Sequence, residues 1–174
     1  MAWGLTTALP LERLQVKLVV LLCLSTMWRP RSDIGRLLLD DVMIDQHGLT
    51  LTTREPKEGK FKKSRLEELQ VDNQEFCPVY TMKIFLNKTA SLREEHPGLR
   101  KKVFIGYIDN SNNLPTPASE KTIASWLVQV LDAAGIDTTI YKAHSFRAAA
   151  ATKAYMQGNS AESIKSHANW SLLF

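Results

Sequence analysis

His144 and Arg147 stand three residues apart in the stretch Lys142-Ala143-His144-Ser145-Phe146-Arg147-Ala148. At the start of a helix that spacing puts an imidazole and a guanidinium on one face, beside the free N–H groups of the first turn. Together they can grip a single anion, which the positive end of the helix also favours. Arginine suits a phosphate because its fork matches two oxygens and keeps its charge at any relevant pH. A second basic group, Arg29, Arg31 and Arg36, surrounds Pro30, and a third places Lys57, Lys60, Lys62, Lys63 and Arg65 in one short run against the single acid Glu58. The chemistry these residue types offer jointly is the stabilisation of negative charge on a phosphate. Each run taken singly also describes an ordinary solvated face.

Other chemistries find little support. His47, His96, His144 and His167 are scattered, with no H-E-x-x-H and no accompanying carboxylate cluster, so neither a metal nor a cofactor is expected. Cys23 and Cys77 form no C-x-x-C pair and cannot make a disulfide framework, which points to a reduced, intracellular protein. The most apolar window, Leu18 to Leu24, is far shorter than the roughly 20 residues of a membrane span, and the basic Arg29-Pro30-Arg31 follows without a signal-peptide cleavage site. A buried helix is expected there, and no membrane partner.

The elements that must position these groups follow from periodicity. Leu14, Leu18, Leu21 and Leu22 keep a helical period from Leu11, and Pro30 is expected to end that helix. A short second helix is expected from Ser32 through Leu37. Val42 to Thr53 reads as a β-hairpin turning at Asp45-Gln46-His47-Gly48, with a third strand over Lys62 to Leu66. Pro78 opens a further helix, and Val103-Phe104-Ile105 reads as a buried strand or turn, followed by a loop over Ser111 to Pro117. The apolar stripe Ile123, Trp126, Leu127, Val130, Leu131 and Ala134 predicts a helix from about Ser119, stopped at Gly135. Helices from Ser145 to Gln157 and from Ser160 complete the pattern, and Tyr141 falls on an apparent strand. The expected fold class is α+β, mostly α, a helical domain with a small antiparallel β-sheet.

Size and charge agree with this. The 174 residues suit one domain, expected over 11–174 after a tail at 1–10. Apolar residues make up 44% and charged residues 23%, the proportions of a folded globular chain. The net charge of +4 leans toward polyanionic partners.

The order of the features carries more than any one of them. Ser25-Thr26-Met27-Trp28-Arg29-Pro30-Arg31-Ser32-Asp33-Ile34 ends an apolar helix. A lysine-bearing hairpin follows, then Cys77-Pro78-Val79, then an amphipathic helix ending in Ala133-Ala134-Gly135-Ile136-Asp137, then His144-Ser145-Phe146-Arg147, and finally Asn169-Trp170-Ser171. This order resembles the catalytic domain of the tyrosine recombinase (phage-integrase-like) family, especially members from eukaryotic mobile elements, over roughly Leu11 to Phe174. The resemblance implies that two arginines, a hairpin lysine, a histidine and a His or Trp surround a scissile DNA phosphate, while a tyrosine attacks it. Arg147 would be the second arginine, His144 the histidine and Trp170 the His/Trp position. The first arginine would be Arg29, with Arg31 the alternative. The lysine would be Lys57, with Lys60 or Lys62 as alternatives. Arg31, Lys60, Lys62, Lys63 and Arg65 would contact DNA, and His167 would lie on the helix surface or make an auxiliary contact.

The resemblance places the nucleophilic tyrosine about nine residues beyond Trp170, past Phe174, and none of Tyr80, Tyr107, Tyr141 or Tyr155 occupies that place. It also implies an N-terminal helical domain for which the ten residues before the first helix leave no room. Three functions are thus expected to compete: a DNA recombination and integration domain, nuclear or cytoplasmic and assembling as homo-oligomers on DNA, that lacks its nucleophile; a DNA-binding relic that does not cleave; and a non-functional fragment.

Overall fold

The computed structural model describes residues 3–53, 62–69, 71–106 and 114–170. Its spine is α1, Leu11–Thr26. The i, i+4 series Leu14, Leu18 and Leu22, with Val19 and Cys23 beside it, is fully buried, each large aliphatic side chain contributing about 1.5–3 kcal/mol relative to exposure. The apolar window of the sequence is therefore the centre of a core, and no helix among the described residues is long and apolar enough to cross a membrane.

Around α1 pack α2 (Pro78–Glu95), α3 (Glu120–Ala133) and α4 (Ser145–Met156), with the short α5 (Ala161–His167) against α4. Phe85 of α2, Ile123 and Leu127 of α3 and Phe146 of α4 join one apolar cluster with α1. Of the stripe predicted for α3, Ile123, Leu127 and Leu131 are buried and Trp126 and Val130 half-buried, while Ala134 caps the helix in solvent. Ser119 Oγ accepts the Thr122 N–H at 3.0 Å to start the helix. At its end the Ile136 N–H returns to Leu131 O at 2.9 Å across Gly135.

The sheet has three antiparallel strands in the order β1 (Val42–Asp45), β2 (Gly48–Thr53) and β3 (Lys62–Glu67). Gly48 pairs with Glu67, and a Cβ at Gly48 would stand 2.1 Å from Leu66 O, so only glycine lets β3 close on β2 there. The expected α+β, mostly α architecture with one small antiparallel sheet is the one observed.

Several local expectations are corrected. α1 stops at Thr26, not at Pro30: the Thr26 hydroxyl bonds back to Leu22 O, and Met27 takes a left-handed φ of 54° with its N–H on Cys23 O. The short helix from Ser32 is a single 3-10 turn, Ile34–Arg36. Tyr141 lies on no strand; it is an exposed residue in the irregular stretch before α4. Residues 103–105 are buried but form only an isolated bridge, Ile105 to Pro117. The carbonyls around them go instead to Arg93, whose guanidinium bonds Leu99 O, Lys102 O and Val103 O and lies over the Phe85 ring. Burial lowers the pKa of Arg93, and those carbonyls offset the cost of enclosing its charge. The expected N-terminal tail is folded in from Thr6: its N–H and hydroxyl both donate to Glu75, and Lys17, buried on α1, bonds Thr6 Oγ1 and Glu75.

Candidate functional site

The segment leaving α1 is shaped by one carboxylate. Asp33 is fully buried; its Oδ2 accepts the Arg29 backbone N–H at 2.9 Å, and Ser32 Oγ donates to its Oδ1. The backbone closes the same loop, since the N–H groups of Asp33 and Ile34 both reach Arg29 O at 3.1 Å. A tight turn of this kind holds Arg29 and Arg31 on a fixed scaffold rather than on a waving loop. Gly35 lets the turn meet α3: a Cβ there would lie 3.1 Å from Glu120 Cα and 3.2 Å from Pro30 O.

Against this turn comes the start of α4. His144 is its N-cap residue, and the Arg147 N–H bonds His144 O at 3.1 Å. Phe146 points into the core, which turns Arg147 and His144 toward the Arg29 turn. The result is an open cleft of about 380 Å³ walled by Arg29, Pro30, Arg31 and Ser32 on one side and Ala143, His144 and Arg147 on the other. Three guanidinium groups and an imidazole thus share a cleft with one acid, Glu120, which is itself bonded to Arg36 at 2.7 Å. Trp170 completes the Arg147 side, its ring centroid 4.4 Å from the guanidinium carbon, a cation–π contact that fixes where the fork lies. Among the described residues the buried Trp170 Nε1 meets no hydrogen-bond partner.

The predicted cations therefore divide. Arg29, Arg31, His144 and Arg147 come together, with Trp170 stacked on the last. Lys57 and Lys60 lie outside the described residues. Lys62 is a correction to the picture of a DNA-facing lysine: it is 2% exposed and its Nζ reaches Asp33 Oδ2 at 2.8 Å. Alternation along β3 explains this, since Lys62, Ser64 and Leu66 face inward and Lys63 and Arg65 outward. Arg65 is held bidentate by Asp45, whose carboxyl that hydrogen bond keeps well below the usual range. His167 is not among the cleft walls; its Nε2 donates to Ser25 O at the end of α1.

Reasoning from sequence missed the part played by Asp33, though an acid four residues beyond Arg29, within a basic segment, was a usable sign. It missed Glu120 as well. The Cys23 thiol, next to this turn, is pushed up first by burial and then by the Asp33 charge, so it is no nucleophile.

No protein-family model matches this sequence, and no curated protein matches it significantly. Among solved structures the chain is similar to the XerH site-specific recombinase bound to palindromic difH substrate in a post-cleavage complex, and to the same recombinase bound to difH substrate before cleavage. Each comparison gives a TM-score of 0.66 at 13% identity and covers 94% of this chain. The chain spans 41% of the length of those recombinase chains. The fold is tyrosine-recombinase-like.

Proposed function

We propose that this chain is the phosphate-holding domain of a DNA recombinase, of the eukaryotic mobile-element type, and that the described residues grip a backbone phosphodiester without supplying the attacking group. The single observation that carries this reading is the convergence of Arg29 and Arg147, distant in sequence, on one cleft. In the proposed complex the two guanidinium groups donate to the non-bridging oxygens and oppose the charge that grows on them when phosphorus is attacked. His144 holds or moves a proton at the same phosphate, and Trp170 offers an indole N–H, a donor that adds no charge. A lysine of the 54–61 segment, Lys57 or Lys60, would serve the leaving 5′ oxygen. Lys63 and Arg31, both exposed, would meet neighbouring phosphates.

The binding-only version is favoured by a second observation: among the described residues no tyrosine walls the cleft, the exposed Tyr141 and Tyr155 included. Strand cleavage by attack on phosphorus would need a tyrosine from outside these residues. The protein would act in the nucleus or cytoplasm, and copies would assemble on DNA.

Fluorescence anisotropy with a labelled duplex tests this. Binding should weaken with salt at a log–log slope of about −0.9 per neutralised phosphate, and Arg29→Ala and Arg147→Ala should each weaken it. A suicide DNA substrate should trap no covalent adduct. Absence of duplex binding at low ionic strength sinks the proposal, and an adduct sinks its binding-only form.

A further inference from the structure

We infer that Asn169 is a positioning residue: its side-chain amide ties the Trp170 turn to strand β3, so that the Arg147 wall and the Arg29 wall of the cleft are held in register. What the cleft does is taken from the proposed function; the tie itself does not depend on it.

The need for a tie follows from how lightly α5 is packed. The helix is seven residues long and reaches the rest of the molecule through a small cluster in which Ile164 and Ala168 meet Met27, with Ala150, Ala151 and Ala154 beside them. Alanine side chains set little resistance to sliding, yet Trp170 is stacked on Arg147. Among the described residues, two side chains tie the end of α5 to other elements. His167 Nε2 bonds Ser25 O at the end of α1, and Asn169 Nδ2 donates to Lys63 O at 2.8 Å and to His167 O at 3.3 Å.

Residue 169 has a left-handed φ of 51°. Glycine would satisfy that backbone at least as well as asparagine. The amide is therefore an addition to what the turn requires, and it lands on β3, the last strand of the sheet among the described residues, where outward carbonyls need partners. The carbonyl it takes belongs to Lys63, next to Lys62, whose ammonium is on Asp33, whose carboxylate holds the Arg29 N–H. A short chain of bonds thus runs from Trp170 through Asn169 and β3 to the first arginine.

The test uses the full chain labelled with 5-fluorotryptophan. Its four tryptophans give four fluorine signals, and Trp170→Phe assigns the one of interest. Asn169→Gly keeps the backbone and deletes the donor; Asn169→Asp keeps the shape and removes the N–H. In both variants the Trp170 signal should shift or broaden while the other three stay. Duplex affinity should fall about threefold to tenfold, the loss of one ordinary hydrogen bond, with the salt slope unchanged because the phosphate count is unchanged. In the unmutated protein the Asn169 side-chain amide protons should exchange with water more slowly than those of the exposed Asn87, a reading that survives even if a variant fails to fold. A wild-type Trp170 signal in Asn169→Gly, or Asn169 amide exchange as fast as that of Asn87, overturns the inference. If the unmutated chain binds no duplex, the proposed function fails, while the fluorine and exchange data still decide the role of Asn169.

Discussion

Lys62 Nζ lies 2.8 Å from Asp33 Oδ2, and the same oxygen accepts the Arg29 backbone N–H at 2.9 Å. Lysine and aspartate are both enclosed, at 2% and 0% exposure, so one buried ion pair connects the sheet to the turn that carries the first cleft arginine. Such a pair is worth little against a well-packed apolar substitute, but removing one partner strands the other's charge in the interior.

Lys62→Met should therefore destabilise the fold by about 3–5 kcal/mol, and Asp33→Asn combined with Lys62→Met should recover a good part of the loss. Urea denaturation of the two variants checks this; equal loss in both would show that the charge is not the cause.

Arg147→Ala should reduce duplex affinity by about tenfold or more, since a charge-assisted, two-pronged contact is worth about 1.5–3 kcal/mol. Arg147→Lys should restore only part of it, because an ammonium has no fork and stacks less well on Trp170. Anisotropy titrations at one fixed salt concentration decide it.

Ala168 is fully buried between α5 and Met27. Enlarging it to leucine should cost about 1–3 kcal/mol by overpacking and lift Trp170 from Arg147. A thermal melt reads the first effect and the Trp170 fluorine signal the second.

The Glu75 carboxyl resists burial but is held below its ordinary pKa by hydrogen bonds from Lys17 and Thr6. A carboxyl depressed in the folded state stabilises above its unfolded pKa, and that contribution fades as pH falls through the lower folded value. The Thr6 amide, which donates to Glu75, should lose protection from hydrogen exchange on acidification before the centre of α1 does. Simultaneous loss at both places contradicts this account.

Cys23 is completely buried and its thiol is pushed up by that burial and by Asp33. Cys77 is buried too, its sulfur accepting the N–H groups of Leu69 and Tyr80. Neither should alkylate in the native protein, and the labelling rate should follow the fraction unfolded in urea. Fast native labelling at Cys23 would contradict the packing of α1.

Elements whose cause is local were legible in the residues alone. The spacing of Ile123, Leu127 and Leu131 is the buried stripe of α3, and the alternation after Gly48 is the hairpin, because side-chain period and backbone period are the same physical fact. The residue types and spacing also offered His144 with Arg147 and the basic group around Pro30 as anion holders, while Trp170 was singled out by the family resemblance. Which of the cations share a cleft depends instead on how distant elements dock. Lys62 and Lys63 are neighbours of equal charge, yet the pleat sends one to Asp33 and the other to the surface, a difference set by which face of β3 meets the core. Likewise Lys17 and Arg93 look like surface residues until Glu75 and a set of backbone carbonyls arrive from distant segments to enclose them. Pairings of that kind depend on where separate elements dock, and no run of residues encodes that locally.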